Sequence, residues 1–156
     1  MAAVPDIRIH SDSQAVAEAA AAFVLEVGNE AVRTKGRFFI ALSGGTTPAT
    51  LYRTLTSPHF VDRLDWSRAT FFFSDERCVH PDDPRSNYAL ANNTLFTPLN
   101  IAPSQVYRMA GESNEPQAAA FEYEQQLRLA TKTLPSAQPS LDLILLGLGE
   151  DGHTAS

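Results

Sequence analysis

The sequence predicts an α/β fold, an open, mostly parallel, Rossmann-like sheet with helices on both faces. Two observations carry this expectation. Three short, uniformly apolar segments, RFFIAL (37–42), ATFFF (69–73) and LDLILL (141–146), read as strands buried on both sides. Helical patterns separate them, which is the alternation that parallel strands joined by crossover helices require. The size agrees: 156 residues, 44% apolar and 19% charged, can bury a real core and do not have the composition of a disordered chain.

The elements follow in order. Ser11 to Gln14 has the capping-box spacing Ser-x-x-Gln and opens an Ala-rich helix to about Arg33. Val16, Ala20, Phe23, Val27 and Ala31 recur three or four apart and form its expected buried face, and Gly36 is the expected stop. The first strand runs into SGGTTP (43–48), after which PATLYRTL reads as a helix with Pro48 at its first position. The second strand ends in SDER (74–77). Asn87 to Leu95 reads as a helix behind the turn-rich PDDPRS, and 114–133 as another, with Ala118, Phe121 and Leu127 or Leu129 facing inward. The third strand runs into GLGEDGH (147–153). Only residues 147–156 follow it, where a further helix is expected. The chain therefore reads as a single α/β domain over 1–156, an incomplete N-terminal portion with its C-terminal part missing.

Charge and cysteine usage narrow the chemistry. Twelve basic against 18 acidic residues give 12 − 18 = −6, the wrong sign for a general nucleic-acid binder. No apolar run reaches the roughly 18 residues of a membrane span, and Glu18 and Glu26 interrupt the Ala-rich stretch. The opening MAAVPDIRIH lacks a basic segment followed by an apolar one, so a cytoplasmic location is expected. Cys78 is the single cysteine, and His10, His59 and His80 are scattered, so neither a disulfide nor a metal site is expected.

Ligands of open α/β sheets bind beyond the carboxyl ends of the strands, where parallel strands bring these three loops together. Ser43-Gly44-Gly45-Thr46-Thr47-Pro48 has the parts of a phosphate cradle: glycines admitting close backbone approach, hydroxyls from Ser43, Thr46 and Thr47, and a helix N-terminus. A plain turn with Thr47 as helix cap accounts for the same residues. In the second loop Arg77 suits a phosphate or carbonyl oxygen, and Asp75 or Glu76 a sugar hydroxyl or a proton; a surface ion-pair cluster is the alternative. Ser86 reads as the cap of the next helix. Gly147-x-Gly149-x-x-Gly152 fits a dinucleotide fingerprint, yet Glu150 and Asp151 would confront the pyrophosphate. His153, two residues after Asp151, is a candidate general base whose tautomer that carboxylate would fix; a solvated histidine is the alternative.

LSGGTTP, then FFFSDERCV with RSNY, then LILLGLGEDGHTAS resemble, in that order, the family of glucosamine-6-phosphate isomerases and 6-phosphogluconolactonases. The resemblance runs from about residue 7 to the end. It implies a cofactor-free carboxylic ester hydrolase of the oxidative pentose phosphate pathway, converting 6-phospho-D-glucono-1,5-lactone to 6-phosphogluconate. By position, Ser43, Gly44, Gly45 and Thr46 would cradle the phosphate, Arg77 would sit near substrate oxygens, and Asp75 would orient the sugar. His153 would activate water, supported by Asp151. The isomerase/deaminase branch carries Tyr after the Asp-Glu pair and a Phe-Asn-Glu-type continuation after the His motif. Arg77 and Thr154-Ala155-Ser156 stand there instead and favour the lactonase. The alternatives are an isomerase/deaminase-type enzyme, with Asp75 as its base, and, because of the missing remainder, a non-catalytic sugar-phosphate-binding protein; the 156 residues alone are expected to be weakly active or inactive. The expected partner is the small-molecule sugar phosphate, with no nucleic acid or membrane, and the oligomeric state is not specified.

Overall fold

Strand β1 (Phe38–Leu42) is the middle of a three-stranded parallel sheet, with β2 (Ala69–Phe73) on one side and β3 (Leu143–Ile144) on the other. The computed structural model describes residues 4–134 and 136–154. Register runs from Phe38↔Ala69 to Leu42↔Phe73 on the first side, and pairs Ile40↔Leu143 and Ala41↔Ile144 on the second. Successive side chains of a strand point to opposite faces, and here both faces are covered. Phe38, Ile40, Leu42, Ala69, Phe71 and Phe73 enter a large core with helices α1 (Ser13–Lys35), α2 (Thr46–Leu55) and α3 (Asn87–Ala91). Phe39, Ala41 and Phe72 turn the other way, against Tyr107 and against Leu127 and Ala130 of α4 (Pro116–Thr131). The α/β class and the helices on both faces are as the apolar runs predict.

Several local expectations are corrected. Helix α1 is capped by Asp12, whose side chain accepts from Ala15 N at 2.8 Å, and Ser11 instead donates to Asp12. Its buried face is Ala17, Ala21, Val24, Leu25, Gly28 and Ala31, while Val16 and Phe23 are exposed. An Ala-rich helix is apolar on more than one side, and packing selects the side whose small residues let it lie close to the sheet. Helix α2 begins at Thr46, two residues before Pro48. Helix α3 ends at Ala91 and passes into a π-helical turn, Asn92–Phe96, which buries Leu95 and Phe96. In α4, Ala118, Phe121 and Leu129 are exposed; Tyr123 is the buried residue and Leu127 is half-buried.

The third strand is shorter than its apolar run. Only Leu143 and Ile144 form the ladder, and Ile144 and Leu146 are 53% and 56% exposed. The strand is paired along one edge and fastened mainly at its start. There the buried Asp142 carboxylate accepts from Phe39 N at 2.8 Å, Lys35 Nζ at 2.5 Å and Arg37 Nη1 at 3.3 Å. Leu145 N then donates to Ala41 O at 2.9 Å. This polar anchor sets the register that brings the following loop level with the ends of β1 and β2.

Candidate active site

The loop after β1 is built around a phenol. Tyr52, fully buried on the inner face of α2, donates its hydroxyl to Ser43 O at 2.6 Å and accepts from Ser43 N at 3.1 Å. One side chain thus satisfies both backbone groups at the first residue past the strand, where no ladder continues. Gly45 then takes φ +106°, which a glycine tolerates, and serves as the N-cap of α2. No side chain caps this helix, so the reading of Thr47 as cap does not hold: Thr46 and Thr47 are its first two residues. An uncapped helix N-terminus behind a glycine pair is a ready anion site.

The loop after β2 repeats the device from the other face. Tyr123 of α4 donates to Phe73 O at 3.0 Å and accepts from Phe73 N at 2.8 Å. Burial pushes its phenol up to about 12 and raises that of Tyr52 in the same direction. Ser74 ties the two loops together, donating through both N and Oγ to Leu42 O at 2.9 Å. Glu76 is occupied structurally. It accepts from Arg77 N, Asn87 N, Tyr88 N and Ser86 Oγ at 2.7–3.1 Å, which fastens the start of α3. Ser86 caps α3 as expected, accepting from Ala89 N at 3.1 Å. Asn87, buried, donates through Nδ2 to both Asp75 O and Asp75 Oδ1 at 3.1 Å.

The third loop closes on itself. Gly149 N donates to His153 O at 2.8 Å, and Gly152 N to Gly149 O at 2.9 Å. A Cβ on Gly149 would lie 2.4 Å from His153 Cε1, so glycine is what lets the imidazole fold over the loop. His153 Nδ1 is hydrogen-bonded to Asp151 Oδ1, and that bond holds the Asp151 carboxyl below its ordinary range. With Nδ1–H directed to the carboxylate, Nε2 carries the lone pair.

These loops border one cleft of about 620 Å³. Ser43, Gly44, Gly45, Thr46, Thr47, Asp75, Arg77 and His153 all line it; Asp151 sits behind His153 instead. Val16 and Phe23 of α1 and the segment 143–149 form an apolar wall. Arg77 and His153 are the only basic side chains among the described lining residues. Ala155 and Ser156, which end the third motif, lie outside the described residues. Among the described residues, no group of three or more His, Cys, Asp or Glu is placed to hold a metal ion, and no helix is long and apolar enough to cross a membrane.

Residues 11–156 match the family model of glucosamine-6-phosphate isomerases/6-phosphogluconolactonase. The chain belongs to this family. It is 43% identical over 140 residues to a 6-phosphogluconolactonase of Treponema pallidum, covering 90% of this chain and 57% of that protein. A Nostoc 6-phosphogluconolactonase is 34% identical over 150 residues, covering 96% and 61%. Among solved structures, 6-phosphogluconolactonase from Trypanosoma cruzi superposes with a TM-score of 0.84 at 31% identity, over 99% of this chain and 62% of that one. The chain thus spans about three-fifths of the length of these family members. A monomeric glucosamine-6-phosphate deaminase, 23% identical with a TM-score of 0.75, shares the fold.

Tyr52, Tyr123 and Asn87 are the site-building residues that motif reasoning passes over. The two tyrosines leave one trace in the sequence, as phenols on helices that pack against the sheet. A buried tyrosine hydroxyl needs a polar partner, and strand ends supply one.

Proposed function

We propose that this protein hydrolyses 6-phospho-D-glucono-1,5-lactone to 6-phosphogluconate, without a cofactor and in the cytoplasm. The observation that carries the reading is the shared cleft: an uncapped helix N-terminus with its glycine pair, a guanidinium and an imidazole border one space. The names of the lactonases it is similar to point the same way.

In this reading the phosphate sits at the Ser43–Thr47 loop, held by backbone N–H groups and hydroxyls, and this remote grip positions the ring. Asp75 accepts from sugar hydroxyls. His153 Nε2 takes a proton from water as its oxygen attacks the C1 carbonyl, and Asp151 steadies the imidazolium that forms. Charge gathering on the carbonyl oxygen is met by Arg77 or by loop N–H groups. The C1–ring oxygen bond then breaks, the ring oxygen recovers the proton from His153, and the new carboxyl group ionises. Water and lactone are consumed and one sugar acid is formed.

The test uses purified protein and freshly made lactone, with the spontaneous rate measured in parallel. Any hydrolysis above that control supports the reading. Binding of 6-phosphogluconate without turnover would identify a sugar-phosphate-binding protein, and ammonia release from glucosamine 6-phosphate would identify a deaminase.

A further inference from the structure

We infer that Asn87 is a positioning residue of this cleft, its buried amide setting the Asp75 carboxylate and the phosphate loop in a fixed relation to each other. This rests on the lactonase reading and adds to it a residue outside the three loops. Asn87 is 3% exposed and is held from two directions. Its backbone N donates to Glu76 Oε1 at 2.7 Å, and its Nδ2 reaches Asp75 O and Oδ1 at 3.1 Å each. Both groups at Asp75 are acceptors, which fixes the amide with its NH2 toward Asp75 and its oxygen toward the first loop. There it meets Gly44: a Cβ at that position would lie 1.8 Å from Asn87 Oδ1 and 2.5 Å from Cγ. Asn87 therefore fills the volume that any other residue at 44 would need, and the phosphate loop rests on it.

The side chain's chemistry follows from this placement. Aspartate has the same shape but would bring an oxygen against two acceptors of Asp75. Alanine would leave both acceptors without this donor and open a gap beneath Gly44. A merely structural residue would lower the amount of folded enzyme and hence the apparent kcat, leaving KM alone. A positioning residue moves KM, because the carboxylate and the loop it holds contact the substrate.

The experiment compares KM and kcat for the lactone in wild-type protein, Asn87→Asp, Gly44→Ala, Asn87→Ala and the Gly44→Ala/Asn87→Ala double variant, with melting temperatures for each. Asn87→Asp is expected to raise KM about tenfold, the scale of one lost hydrogen bond beside a charge. Gly44→Ala is expected to be more damaging alone than in the Asn87→Ala background, where the clashing amide is gone. Wild-type turnover with an unchanged KM in Asn87→Asp, or strictly additive effects of the 44 and 87 substitutions, would overturn the inference. Absence of turnover in the wild-type protein would overturn the lactonase reading instead.

Discussion

The first two loops of the cleft and the third are held in opposite ways. After β1 and β2, the chain is fixed by buried phenols from helices on opposite faces of the sheet, and by Glu76, Ser74 and Asn87 between the loops. After β3 it leaves a two-residue strand, and His153 is held by its own loop through Gly149 and Asp151, both side chains of the His-Asp pair being solvent-exposed. The loops assigned to gripping the sugar phosphate are thus fastened to the core by buried side chains, whereas the proposed base is set by short-range contacts. Binding geometry and stability are joined in the first region and separable in the second.

The sharpest test of that separation is His153→Ala. Its kcat is expected to fall by about 10²–10⁴-fold, the usual contribution of a general base, with no change in melting temperature. A large loss of stability would show that the third loop supports the core after all. Next in size is alkaline pH. The phenol of Tyr123 is raised to about 12 against an ordinary value of about 10, so the folded state holds its proton more tightly than the unfolded state. Its contribution is complete below pH 10 and is lost as pH rises toward 12, about 3 kcal/mol over that window. Tyr52 acts in the same direction. Absorbance of ionised tyrosine should therefore rise partly in step with unfolding; full ionisation of all four tyrosines in folded protein would contradict the clasps.

Tyr52→Phe and Tyr123→Phe should each cost about 1–3 kcal/mol in denaturant unfolding, since each strands a buried N–H and C=O at a strand end. Asp151→Asn, in the exposed loop, should change stability by less than about 0.5 kcal/mol. It should nevertheless lower kcat, because the imidazole loses the carboxylate that orients it. Equal stability effects at the phenols and at Asp151 would erase the contrast between the regions.

How much of this the sequence reveals depends on the range of the interaction. Strands β1 and β2 are legible because both of their faces are apolar, and the three loops because glycines and charges cluster where those runs stop. The length of β3 is not legible, since an apolar run does not record which neighbours it pairs with. Helix faces are misjudged where a helix is apolar on two sides: the spacing of Val16, Ala20 and Phe23 is as regular as that of Ala17, Ala21 and Val24. Val16 and Phe23 instead serve the wall of the cleft. Tyr123 meets Phe73 across 50 positions, and both tyrosines bind backbone groups, which carry no residue identity to pair with. Asn87 is visible only as one letter of RSNY until Gly44 and Asp75 are seen against it.

In this reading three loops serve one guest. The most direct test is a titration of the isotopically labelled protein with 6-phosphogluconate, following the amide resonances of Gly45, Arg77 and His153. All three are expected to shift and saturate together with a single Kd. Movement of one loop alone, or saturation of each at a different concentration, would contradict it.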